Sequence, residues 1–234
     1  MSYITGLLGS DLLDAVILAG GRSLRTKPFT WIDKPFLEIK DNYTLLEYQI
    51  DWLLRSDRID KVIVAIHESQ STRAREIADL RDRVELCIEK ERLGTGGGVK
   101  NAVRYIYSDF FYLMNVDDIL LDLTPDILIE AHLGSSLICL TYPTLPYGVA
   151  RLSGYRVVGF EEKPRLKNLL VNCGHYIWSR KIVEDLFPDL GDFEKKLNDI
   201  AKFTDLRYYI YSGRWLTVTT LKDWYRARIF LGSS

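Results

Sequence analysis

The residues able to do chemistry cluster where apolar runs stop. The stretch Ala15 to Ala19 ends at Gly20-Gly21 and gives way to Arg22, Arg25, Lys27 and Lys34. Paired glycines at the carboxyl end of a strand let another molecule approach the backbone, and the cations that follow would face an anion. Arg suits bidentate phosphate contact, and Lys acts as a mobile point charge. The spacing is neither the dinucleotide fingerprint nor a Walker loop, so a phosphate here needs another scheme. The plain alternative is a strand followed by a solvated basic loop. A second cluster is LGTGGGVKNA, Leu93 to Ala102. Its run of glycines costs a helix start about 1 kcal/mol each against Ala. That predicts an entrance whose amides stay open to a ligand, or else a hinge.

Two further groups carry acids. Asp117 closes the apolar run Phe110 to Val116. One carboxylate there suits Mg²⁺, which keeps waters and shares phosphate oxygens; capping a helix is the plain alternative. Asp118 reads as the poorer ligand. GFEEKP (Gly159 to Pro164) and NCG (Asn172 to Gly174) place a carboxylate beside a lysine at a strand end. Such a pair can grip sugar hydroxyls and a phosphate, or simply stand in solvent.

These residues need a frame, and the apolar pattern supplies one. Thr44 and Glu47 form a capping-box pattern before a helix to about Arg55. Lys61 to Ile66 and Val84 to Ile88 read as buried strands, with a polar helix from Ser71 to Leu80 between them. Thr124-Pro125 opens another helix, with Pro in its first turn. Strand and helix alternating in this way indicate a doubly wound, mainly parallel sheet. Beyond about residue 135 the connections shorten. SLICLTY, GVARL and YRVVGFEEK then read as antiparallel or mixed strands. VNCGHYIW is a strand, followed by helices near 179–187 and 193–202. The strands LRYYIYS and RWLTV and a helix from Leu221 close the chain.

Composition narrows the class. With 234 residues, 47% of them hydrophobic, the chain can bury a full core. A net charge of -1 supplies no global field toward nucleic acid or an anionic membrane. Cys87, Cys139 and Cys173 are far apart and form no C-x-x-C pair, which argues against structural zinc and fits reduced thiols. MSYITGLLGSDLLD lacks a basic leader and carries Asp11 and Asp14, so a cytoplasmic location is expected, without membrane or nucleic-acid partners. A homo-oligomer is left open.

Together the pieces resemble the sugar-1-phosphate nucleotidyltransferases, whose leading motif L-A-G-G-x-G-T-R-L-x-P-x-T aligns ungapped with Leu18 to Thr30. Asp33 to Pro35 takes the P-K-P place, Leu93 to Gly98 that of L-G-T-A-G-A, and Asn115 to Asp117 that of N-G-D. Y-G-V, E-K-P and N-A-G fall on Tyr147 to Val149, Glu162 to Pro164 and Asn172 to Gly174. W-x-D-I-G-T-P-x-D-Y falls on Trp215 to Trp224. The resemblance spans nearly the whole chain. It implies a Rossmann-like three-layer α/β sandwich with a mainly parallel mixed sheet and a small antiparallel sugar-binding part. As one domain, it would hold the nucleotide in about residues 12–135 and the sugar phosphate in about 136–234.

The resemblance also implies roles. Leu18, Ala19, Gly20, Gly21, Gly94 and Thr95 would hold the nucleotide. Arg25 would hold the departing pyrophosphate, Lys34 would sit by the phosphates, and Asp117 would hold Mg²⁺. Tyr147, Gly148, Glu162, Lys163 and Asn172 would bind the sugar phosphate. Some features depart from the pattern. Ser23-Leu24 replaces Gly-Thr, Val116 replaces a glycine, and Thr217 stands where a second metal-binding aspartate is usual. Thr217 keeps open a non-catalytic relative that senses a sugar nucleotide. LAGGRSLR also resembles molybdenum-cofactor guanylyltransferases, which generally lack the L-G-T-x-G-x and E-K-P elements. Among nucleotides GTP is slightly preferred. Glu89 or Glu91 could accept from guanine N1 and N2, and the whole looks most like heptose- or mannose-phosphate guanylyltransferases.

Overall fold

Ala15 and Ile17 pack into one buried cluster and Val16 into another, so the first strand is covered on both faces. The structure is a computed structural model that describes residues 12–27 and 29–232. Most of the leader reading, MSYITGLLGSD, lies outside the described residues, as does Pro28.

Thirteen strands are formed among the described residues: β1 (Leu13–Leu18), β2 (Glu38–Lys40), β3 (Tyr43–Thr44), β4 (Ile59–His67), β5 (Val84–Glu89), β6 (Phe110–Asn115), β7 (Asp118–Leu120), β8 (Leu137–Thr141), β9 (Val149–Ser153), β10 (Arg156–Glu161), β11 (Val171–Ser179), β12 (Arg207–Tyr211) and β13 (Trp215–Thr217). Seven of them build the central sheet in the order β12-β8-β11-β6-β1-β4-β5. All neighbours run parallel except β11, which is antiparallel to both β6 and β8. The strands beyond about residue 135 read from the sequence as antiparallel or mixed, and they are mixed: β8 and β12 run with the main sheet, β11 runs against it, and β9 and β10 form a separate antiparallel ribbon.

Helices α1 (Leu45–Leu54), α2 (Ser71–Ala78), α3 (Gly94–Ala102), α4 (Pro125–Ala131), α5 (Arg180–Leu186), α6 (Leu197–Phe203) and α7 (Leu221–Gly232) cover the sheet. Buried residues of α1, α2, α4 and α7 join one cluster, and those of α3, α5 and α6 the other. The result is a Rossmann-like three-layer sandwich. The capping box is present at α1: the Glu47 amide donates to Thr44 Oγ1 at 3.3 Å, and the Thr44 amide donates to Glu47 Oε2 at 2.8 Å. Among the described residues, no helix is long and apolar enough to cross a membrane.

The parallel registers bring the carboxyl ends of β1, β4, β5 and β6 to one edge. Leu18 lies beside both Ala65 and Asn115, and His67 lies beside Glu89. Sheets of this type bind ligands at that edge.

Candidate active site

A cavity of about 840 Å³ opens at this edge. Gly20 and Gly21 follow β1 and have different tasks. A Cβ on Gly20 would press on the His67 amide at 3.3 Å, whereas one on Gly21 would meet nothing within 4 Å. Gly21 thus leaves bare backbone facing the cavity.

The basic loop then turns on Ser23, whose φ of 54° is left-handed. The family pattern has glycine at this position, and a side chain there costs about 1 kcal/mol. Offsetting that, Ser23 Oγ accepts from the Lys34 amide at 2.8 Å and Ser23 O accepts from Thr26 Oγ1 at 2.8 Å. Arg22, Arg25 and Lys34, on either side of this turn, line the cavity. Lys34 makes an ion pair with Asp117, and both side chains are largely covered.

Asp117 follows β6 and is fixed by its backbone, its carbonyl accepting from the Val218 amide at 2.8 Å. Its neighbour Asp118 is the more buried and the more deeply wired. The Asp118 carboxylate accepts from Asn115 Nδ2 at 3.0 Å and Trp215 Nε1 at 2.9 Å. Burial, reinforced by the Asp117 charge, pushes the Asp118 carboxyl up, while bonds from Asn115, Trp215 and Thr217 pull it back. Gln49 of α1 donates to the carbonyls of Val116 and Asp118 at 3.0 and 2.7 Å. Gly174 explains the last residue of the NCG motif. With φ of 76°, a Cβ there would lie 2.0 Å from Asp118 Oδ2. Asp118 is therefore an organiser of the site. The sequence marked it only as a second acid after the strand.

His175, beside this glycine, is fully buried; its Nε2 lies 3.1 Å from Asp118 O and its Nδ1 2.9 Å from the Tyr112 hydroxyl. Burial pushes its pKa down from 6.5 to about 4. The folded protein thus refuses a proton that the unfolded chain accepts. Stability should fall as pH drops from 6.5 toward 4, by roughly 3 kcal/mol for this one group. Urea unfolding across that range checks it, with His175→Gln losing this part of the pH dependence. Equal pH dependence in the two proteins would show that His175 does not titrate as stated.

The glycine helix differs from its expectation. The amide of Gly96 is already bonded to Gly191 O at 2.9 Å. A Cβ on Gly97 would lie 2.3 Å from Asp189 O, and one on Gly94 2.6 Å from Gly191 O. These glycines let α3 pack closely on the 188–191 loop, and the Gly96 amide is used in that contact, while Gly94 still lines the cavity. Gly98 instead makes room for Glu89, whose Oε1 would be 2.7 Å from a Cβ there.

Glu89 is buried on the cavity wall, whereas Glu91 is exposed and does not line it. Burial pushes the Glu89 carboxyl up, against the Leu93 amide and the Arg92 charge. Arg92, which no sequence signal singled out, also donates to the Gly20 carbonyl.

Leu18, Ala19, Gly20, Gly21, Arg25, Lys34, Gly94, Thr95 and Asp117 all line this one cavity. The Thr95 hydroxyl donates to Glu194 and accepts from the Phe193 amide at 3.2 Å. Tyr147, Gly148, Glu162, Lys163 and Asn172 lie outside the cavity wall, most of them at the base of the β9–β10 ribbon. There the segments zip together, with the Leu145 amide on Pro164 O at 3.0 Å and the Leu166 amide on Pro143 O at 2.9 Å. Glu162 pairs with Lys163 at 3.0 Å, and Asn172 Nδ2 donates to the Tyr176 hydroxyl. Thr217 lines the cavity beside Asp118, which it faces across the β7–β13 pair.

Comparison with known proteins places this geometry. The nucleotidyl transferase family model matches residues 14–232. The D-glycero-alpha-D-manno-heptose 1-phosphate guanylyltransferase of Campylobacter jejuni is 28% identical over 223 residues, covering 91% of this chain and 97% of that protein. The protein of the same name from Aneurinibacillus thermoaerophilus is 32% identical over 187 residues, 74% of this chain and 77% of its own. The crystal structure of HddC from Yersinia pseudotuberculosis complexed with GMP-PN superposes with a TM-score of 0.70 at 28% identity, covering 94% of this chain and 99% of that one.

Proposed function

The chain belongs to the nucleotidyl transferase family, and from that premise we infer that it condenses a nucleoside triphosphate with a sugar 1-phosphate, giving an NDP-sugar and pyrophosphate. The observation that carries this is the convergence of Gly20-Gly21, the Arg25–Lys34 loop and Asp117 on one cavity, from separate places in the chain.

A phosphate oxygen of the sugar phosphate attacks the α-phosphorus. As that P–O bond forms, the opposite bond to the bridging oxygen breaks, and pyrophosphate leaves with the electron pair. A phosphate monoester has a second pKa near ~6 and is already largely dianionic at neutral pH, so no general base is needed. The protein has to position charged groups and neutralise them. Leu18 to Gly21, with Gly94 and Thr95, hold the base and ribose. Arg25 takes the charge growing on pyrophosphate, and Lys34 shifts from Asp117 toward the phosphates. Asp117 fits Mg²⁺ as a hard oxygen donor on the wall of a cavity large enough for a triphosphate. Bound Mg²⁺ would supply neutralisation of the phosphate charge.

The sugar phosphate belongs to the second half of the chain, about 136–234, with Tyr147, Gly148, Glu162, Lys163 and Asn172; the order of the family motifs supports this. The base is guanine. Glu89 is a buried acceptor on the cavity wall, where guanine N1 and N2 could donate to it, and two of the similar proteins, both heptose 1-phosphate enzymes, are named guanylyltransferases. Glu89→Gln should lower kcat/KM for GTP relative to ATP by about 10- to 100-fold, the scale of one bidentate base contact. An unchanged ratio would remove Glu89 from base selection.

A matrix of nucleoside triphosphates against sugar 1-phosphates, with Mg²⁺ and pyrophosphate release as the readout, tests the whole reaction. No release from any pair, with measurable affinity for a sugar nucleotide, would establish a sensor in place of an enzyme.

A further inference from the structure

The β9–β10 ribbon is a sheet of its own, with every residue of both strands exposed except Gly159, which is half-buried. Leu152, Val157, Val158 and Phe160 are each 60% exposed or more. The register sets Val157 beside Leu152 and Phe160 beside Ala150, and an irregularity between Val157 and Gly159 puts Val157 and Phe160 on one face. Arg151, Ser153, Arg156 and Glu161 belong to the other face. Scattered apolar side chains need no explanation, but a contiguous apolar face on a two-stranded ribbon does, because such a ribbon is marginal alone in water.

The sequence of β10, Arg156-Val157-Val158-Gly159-Phe160-Glu161, is complementary to itself when reversed. Laid antiparallel to a second β10 about a two-fold axis at Gly159, with the extra residue Val158 outside the ladder, it sets Arg156 opposite the second copy's Glu161. Val157 then lies opposite the second copy's Phe160, and each pairing occurs twice. Both pairings keep apolar with apolar on one face and opposite charges together on the other. The other edge lacks this property. Pairing β9 with itself about its centre would set Arg151 against its own copy, a like-charge contact. Within the chain, Arg156 lies beside Ser153 and Glu161 beside Val149, so neither charge faces an opposite one across the ribbon.

We infer that the exposed β10 edge joins a second copy of this chain, making a four-stranded antiparallel sheet in the order β9-β10-β10-β9. The contact satisfies the open backbone edge, which would otherwise template unselective pairing. It also holds the ribbon whose base carries Gly148 and the Glu162–Lys163 pair.

Sedimentation of the full chain tests this. The wild type should dimerise. Arg156→Glu and Glu161→Arg should each weaken the dimer about 10-fold or more, since each sets like charges across the axis twice. The double variant Arg156→Glu/Glu161→Arg should recover it, because the charges again oppose. Both positions are exposed, so circular dichroism should show an unchanged fold in every variant. A monomeric wild type at the highest attainable concentration would overturn the assignment. So would a dimer indifferent to both single changes, or a double variant no more dimeric than the singles.

Discussion

Arg25→Ala should lower turnover by at least about 100-fold, the scale for losing a preorganised donor to transition-state charge. The fold should survive. Arg25 is exposed on the cavity wall, and the turn that carries it is built by other atoms. Thr26 bonds Ser23 O through its amide at 3.1 Å as well as through its hydroxyl, and Ser23 Oγ ties the turn to Lys34. None of these contacts uses the guanidinium. Arg25→Lys should fall between wild type and Ala, because it keeps the charge and loses the planar fork. Arg22 lines the same cavity, so Arg22→Ala is the control for a general loss of positive charge. Steady-state pyrophosphate release with both substrates saturating measures the effect. Near-normal release by folded Arg25→Ala would exclude Arg25 from the mechanism, leaving Lys34 and the metal to carry the charge.

Features written in local sequence were legible, and features written in distant contacts were not. The first strand, the Thr44–Glu47 cap and the Thr124-Pro125 helix start depend on neighbours within a few residues, and all three appear as read. The glycines of α3 could not be read that way. What they accommodate, Pro188 to Gly191, is nearly a hundred residues further on, so bare amides and close packing look alike in the sequence. Asp118 is a similar case. Its burial depends on Gly174 from β11 and Trp215 from β13, and the sequence showed only two adjacent acids. After residue 135 the mixed character was legible but the direction of each strand was not, because a short connection does not say which strand its successor will join. β11 inserts between β8 and β6, and that insertion makes β8 and β12 parallel to the rest. For the candidate site, the motifs around β1, α3 and β6 did converge on one cavity. The motifs around the ribbon gathered at its base instead, because residues 143–145 zip onto 164–166.

Asp117→Asn should cut turnover by about 100- to 1000-fold and raise the Mg²⁺ needed for half-maximal activity. The change keeps the shape and removes the charge that makes this side chain a hard-metal ligand. It also takes away the partner of Lys34, whose side chain is only 13% exposed, so a modest loss of stability should accompany it. Thr217→Asp should do the reverse to the metal. Thr217 lines the same cavity, and a carboxylate there would add a second charged oxygen donor. The Mg²⁺ requirement should fall. The metal-free protein should be less stable, because the new charge stands beside Asp118, whose carboxyl burial and Asp117 already push up. With threonine in place, Mg²⁺ should bind weakly to the protein alone and tightly once nucleotide phosphates complete its shell. A metal titration of wild type and both variants, with and without nucleotide, separates these outcomes. An identical Mg²⁺ requirement in Thr217→Asp would place position 217 out of reach of the ion, and wild-type turnover untouched by chelation would end the assignment of Asp117 as its holder.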